Sequence, residues 1–167
     1  MSQSLPITIH RLLICPEHIY VGHHGRPPGE TPLEDLDAAR CIAGKGLSGD
    51  RYAGREEGHK RQATFFDLEV HRDLCRRFPE AAVGPDVYRR NVVIEGVDLN
   101  SLIGKQFRLG EVLFEGVEEC RPCYWMDSAF GPGAEEALKG KGGLRARILE
   151  GGTLQKGTQD LIVLDPD

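Results

Sequence analysis

The chain lacks a long apolar run, an excess of positive charge and an even, regularly spaced set of cysteines, and each absence excludes a class of protein. Nowhere do apolar residues continue far enough to cross a bilayer, and Met1 to Tyr20 hold no basic segment followed by an apolar core. The expectation is a cytoplasmic protein with no membrane partner. A formal net charge of −5 argues against an undirected binder of nucleic acid or of an anionic lipid surface, so any anion must be held by a local group. The cysteines, at 15, 41, 75, 120 and 123, form a poor disulfide framework and fit a reducing compartment where thiols stay free. No internal repeat and no Ser/Gly-rich or Pro-rich linker divides the chain, and 167 residues at 40% apolar content suit a single domain over 1–167.

What is present reads as mainly β. Period-2 alternation runs through Leu5 to Ile14, Asn91 to Ile94, Val112 to Val117 and Leu144 to Ile148, and Leu161 to Leu164 is a short continuous apolar run. Gly110-Glu111 is placed to turn Gln106–Leu109 back into Val112–Val117, and Gly151-Gly152 to reverse the chain after Leu149. Many short strands with frequent turns predict a barrel or a sandwich. One helix is explicit: Asp67 can cap it, Val70, Leu74 and Phe78 recur at four-residue steps, and Pro79 follows its end. A second, short helix is predicted from Gly133 to Lys139, with Gly140 to terminate it. Between His18 and Asp37 the prolines and glycines are too dense for a regular element, which predicts a functional flap or a floppy loop.

The segment Glu119-Cys120-Arg121-Pro122-Cys123-Tyr124-Trp125-Met126-Asp127 concentrates the chemistry. Cys120-x-x-Cys123 has the spacing of half a zinc site or of a dithiol pair. The scattered remaining cysteines offer no second pair for zinc, and the antiparallel pattern around it does not suit a redox motif. A third reading makes Cys123 the working thiolate, activated by Arg121 and by a following helix start, with Pro122 stiffening the approach. Elsewhere, Gly46-Leu47-Ser48-Gly49-Asp50-Arg51 could let backbone pass close to a ligand, or be a turn whose Asp50 bonds its own backbone. Arg90-Asn91 could grip an anion by parallel hydrogen bonds. Lys139 to Arg147 mixes cations with glycines in a composition able to form a backbone nest for an anion. His23 and His24 lie between flexible residues and could move protons near neutral pH.

In order, Gly46-x-x-Gly49-Asp50-Arg51, Arg61-Gln62-Ala63-Thr64, Arg90-Asn91, Gly104, Gly110 and Arg121-Pro122-Cys123 resemble the MOSC family, the domains homologous to the C-terminal part of molybdenum-cofactor sulfurases. The likeness is strongest over residues 41–164. It implies a β-barrel-like core with a few short peripheral helices. It further implies a molybdenum cofactor whose metal takes the Cys123 thiolate, with Asp50, Arg51, Arg90, Asn91, Arg121 and Arg145 as candidate cofactor contacts. Asp127 and His23 are candidate proton carriers beside the catalytic Cys123.

The activity implied is the handling of cofactor or sulfur, or the reduction of an N-hydroxylated substrate at molybdenum. The alternatives are a non-catalytic carrier of sulfur or cofactor using a Cys123 persulfide, and a zinc-binding module using Cys120 and Cys123. No lysine has a recognisable Schiff-base setting, so pyridoxal phosphate is associated with the family but is not expected to be held by this chain alone. A reductive reaction would need a separate electron donor, and sulfur transfer a separate sulfur donor.

Overall fold

A computed structural model describes residues 3–15, 33–50, 53, 60–81, 83–122 and 125–164. The chain forms β1 (Gln3–Ile14), β2 (Glu34–Asp35), β3 (Ala38–Ile42), β4 (Gly46–Leu47), β5 (Ala63–Asp67) and α1 (Leu68–Arg77). It continues through β6 (Val92–Glu95), β7 (Gln106–Leu109), β8 (Val112–Glu119), α2 (Trp125–Ala129), α3 (Ala134–Ala137), β9 (Leu144–Glu150), β10 (Gly152–Gln155) and β11 (Gly157–Leu164). Single 3-10 turns occupy Pro85–Tyr88 and Leu99–Leu102.

Among the described residues, seven strands close in the order β11-β7-β8-β9-β5-β6-β1, because β1 pairs back onto β11 from Gln3↔Val163 to Ile9↔Gly157. Closure removes the exposed edges of an open sheet and answers the choice between barrel and sandwich. The pairings are antiparallel except β5 with β6, which α1 connects. The expected turn at Gly110 joins β7 to β8 with Leu109 opposite Val112.

The predicted reversal at Gly151-Gly152 takes a different form. There β9 does not fold back on itself; the chain passes through the two glycines into β10, which pairs with β3 in a separate three-stranded sheet. A Cβ on Gly151 would lie 2.7 Å from the Cys41 carbonyl oxygen, so the glycine serves the close approach of two sheets rather than a hairpin.

Alternation along β5 divides the interior. Phe65 points into the barrel, where its ring meets Phe107 and Phe114 edge-on at 5.7 and 5.2 Å. Phe66 points outward and stacks on Tyr88 at 3.6 Å, within a second apolar cluster that includes Leu74 of α1, Met126 of α2 with Phe130 just after it, and Ala134 of α3 with Leu138 just after it. Asp67 caps α1 by accepting a hydrogen bond from Glu69 N at 2.9 Å, and the helix ends before Pro79 as its spacing predicted. The three helices therefore form one layer on the outer face of β5, and Cys120 follows the end of β8 in the barrel wall.

Candidate functional site

The chain leaves β8 at Glu119 and immediately packs against the glycine loop that precedes β9. Cys120 N donates to Gly143 O at 2.8 Å, and Gly142 N donates to a Glu119 carboxylate oxygen at 3.3 Å. A Cβ on Gly142 would stand 1.9 Å from Cys120 O and 3.0 Å from Pro122 N. The two backbones interlock where only glycine fits. Of the expected nest, Gly142 N is taken by the protein's own Glu119.

Arg90 braces the same loop from the β6 side. Its Nε donates to Gly142 O at 3.2 Å and its Nη1 to Tyr88 O at 2.9 Å. Arg145 on β9 pairs with Glu118 at 2.9 Å, with Lys60 at 3.6 Å on the carboxylate's other oxygen. The Arg145 hydrogen bond, ahead of Lys60, holds the Glu118 carboxyl below its ordinary value. Arg145 Nε is buried with no hydrogen-bond partner among the described residues.

Arg121 is placed differently from these two. It is exposed and has no hydrogen-bond or ion-pair partner among the described residues. With Glu119, Pro122, Glu135, Lys139 and Gly140 it lines a cleft of about 340 Å³. Glu135 and Lys139 reach the cleft from α3 and the turn that follows it. That helix is tied to α2 by Asp127, whose Oδ1 accepts from Glu135 N at 2.8 Å.

Asn91 and Asp50 act inside the framework. The buried Asn91 Oδ1 accepts from Thr64 N at 3.0 Å and from Thr64 Oγ1 at 3.1 Å, while Nδ2 donates to Leu13 O at 3.0 Å. The side chain laces β5 to β1 across the start of β6. Asp50, also buried, accepts from Cys15 N at 2.9 Å, a bond to a distant strand end. Nothing in the sequence pointed to a further internal bond, Ile148 N donating to the buried Gln62 Oε1 at 2.8 Å.

The described thiols are poor nucleophiles. Cys15, Cys41 and Cys120 are buried, and burial pushes the Cys41 thiol up to about 12. Cys75 lies at the helix layer with its sulfur 3.4 Å from His71 Nε2, and burial raises it too. Cys123, Arg51 and His23 lie outside the described residues, and with them most of the predicted flap, of which Glu34–Asp35 pair with the end of β1. Among the described residues no group of three or more His, Cys, Asp or Glu could hold a metal ion.

Residues 23–159 match the MOSC domain family. The chain belongs to the MOSC family. Solved structures with the same fold include YuaD from Bacillus subtilis, at 17% identity and TM-score 0.72, covering 99% of this chain and 100% of that one. YiiM from Escherichia coli aligns at 20% identity and TM-score 0.64, covering 99% of this chain and 71% of YiiM. YiiM from Geobacillus stearothermophilus aligns at 15% identity and TM-score 0.69, over 96% and 76% of the two chains. No curated protein matches the chain. At these identities the solved structures establish the shared fold. No described helix is long and apolar enough to cross a membrane.

Proposed function

We propose that this MOSC protein binds molybdenum cofactor, with Cys123 as the thiolate ligand and Arg121 with Lys139 as the groups that hold the cofactor's anionic end. The observation that carries the reading is Arg121: a guanidinium with no partner among the described residues, lining a cleft two positions before the candidate thiolate. A planar guanidinium makes two parallel hydrogen bonds to phosphate, and a lysine adds a compact charge. The donor set fits the group: a soft thiolate suits molybdenum, and no cage of other ligands is required of the chain. Arg90 and Arg145 enter this reading as supports of the Gly142 loop and of the end of β8, and Asn91 and Asp50 as ties within the barrel framework.

When bound, the cofactor would supply two-electron oxygen-atom chemistry at the metal. The chain's own contribution is to fix the anion, present Cys123 and keep the loop of Gly142 and Gly143 locked against Cys120. Reduction of an N-hydroxylated substrate would draw its electrons from a separate protein, and sulfur handling its sulfur from a separate donor. Cytoplasmic residence fits a free Cys123 thiol.

The test is metal analysis of protein made in a host that synthesises the cofactor. Wild-type protein is expected to contain molybdenum, and Cys123→Ser to lose it, while Arg121→Ala lowers occupancy. Equal molybdenum in wild type and Cys123→Ser would remove the thiolate from the ligand set. An added sulfur on Cys123 by intact mass, without metal, would favour a carrier instead.

A further inference from the structure

The residue with the least expected arrangement is Asp127. α3 begins after Gly133, which has φ +97° and no side chain with which to cap the helix. The first backbone N–H groups of a helix have no intrahelical acceptor and need one from elsewhere. Here the acceptor for Glu135 N comes from another helix: Asp127 Oδ1 at 2.8 Å, reaching across from α2. Glu135, the residue so held, lines the cleft, and Lys139, one turn later, lines it too. Behind them Ala134 and Leu138 are buried in the helix-layer core, which prevents the wall from re-seating elsewhere.

We infer that Asp127 is a positioning residue: its carboxylate caps α3 from α2 and thereby fixes the Glu135–Lys139 wall of the cleft, rather than carrying a proton in the chemistry. The inference rests on the reading of that cleft as an anion site. Because α2 begins two residues after Cys123, the same bond fastens the wall to the helix that follows the proposed thiolate. The bond needs an acceptor oxygen and not a titratable group. An asparagine at this position supplies the oxygen; an alanine supplies nothing.

This separates the two roles. Amide hydrogen exchange at Glu135 and Lys139, and the chemical-shift response of Arg121, Lys139 and Gly140 amides to inorganic phosphate, would be measured in wild type, Asp127→Ala and Asp127→Asn. Loss of a helix cap predicts Glu135 exchange faster by about fivefold or more in Asp127→Ala, with weaker phosphate binding, and restoration of both by Asp127→Asn. Unchanged Glu135 exchange in Asp127→Ala overturns the inference, as does Asp127→Asn behaving like Asp127→Ala. Phosphate that fails to perturb the wild-type cleft, together with faster Glu135 exchange in Asp127→Ala, would retain Asp127 as the cap of α3 and remove the anion reading of the cleft.

Discussion

Replacing Asn91 by alanine tests whether the framework around the cleft is held as described. Asn91 is 5% exposed. Truncation leaves Thr64 N and Leu13 O, bonded at 3.0 Å each in the intact protein, without their partners in a closed interior. Thr64 Oγ1 also loses an acceptor, but it still accepts from Asn91 N at 3.0 Å, which the substitution does not touch. An orphaned buried donor or acceptor costs about 1–3 kcal/mol, so two of them, after partial relaxation, predict a loss of about 3 kcal/mol. For a domain of this size that corresponds to a fall in Tm of about 6–12 °C. Asn91→Asp should be at least as damaging near neutral pH, since a carboxylate can accept from Thr64 but faces the Leu13 carbonyl with no proton to donate. Urea denaturation with an unchanged m-value is the assay, because a changed slope would indicate an altered unfolded state instead. A loss below about 1 kcal/mol would refute the argument that this amide laces β5 to β1.

Two further outcomes follow from the structure. His71 is buried against Tyr88, Phe130 and Cys75, with Asp86 and Arg72 as the charged groups acting on it, and burial as the main cause lowers its pKa below the ordinary 6.5. The unfolded chain then takes up the proton first, so stability is full above about pH 6.5 and falls as pH drops through that value; urea midpoints should decline between pH 7 and pH 5 more steeply in wild type than in His71→Gln, and equal declines would refute the assignment. Gly142→Ala should cost far more stability than Gly104→Ala: the first Cβ would meet Cys120 O at 1.9 Å, while the second, at φ +79°, meets nothing within 4 Å and adds only backbone strain. Comparable thermal shifts for the two variants would show that the interlock yields without cost.

Local signals in the chain were legible because the physics that produces them is local. The α1 cap at Asp67, its stop before Pro79, the turn at Gly110 and the short helix after Gly133 each depend on residues within a few positions of one another. Alternation also placed the β1, β6, β8 and β9 strands, though not their neighbours. The fate of Gly151-Gly152 shows why: a glycine pair specifies freedom to turn, and the partner waiting across the gap, β3, lies over a hundred residues upstream. The same holds for the polar side chains. Asp50 accepts from Cys15 N, 35 residues upstream, and Glu119 accepts from Gly142 N, 23 residues downstream. Such choices are made by the closed barrel, which brings these groups together only after the strands have paired.

Closure also separates arginines that the chain presents as equivalent. Arg90, Arg121 and Arg145 each stand near glycines and a strand end, and each is chemically able to bind phosphate. In the fold, Arg90 holds two carbonyls and Arg145 holds Glu118. Recruiting either to a ligand would break bonds that keep the Gly142 loop or the β8–β9 pair in place, so ligand affinity would be reduced by the loss of that support. Arg121 has no such bond to give up among the described residues and already faces a cleft. The guanidinium with no bond to give up among the described residues is therefore the one that can take an anion at least structural cost.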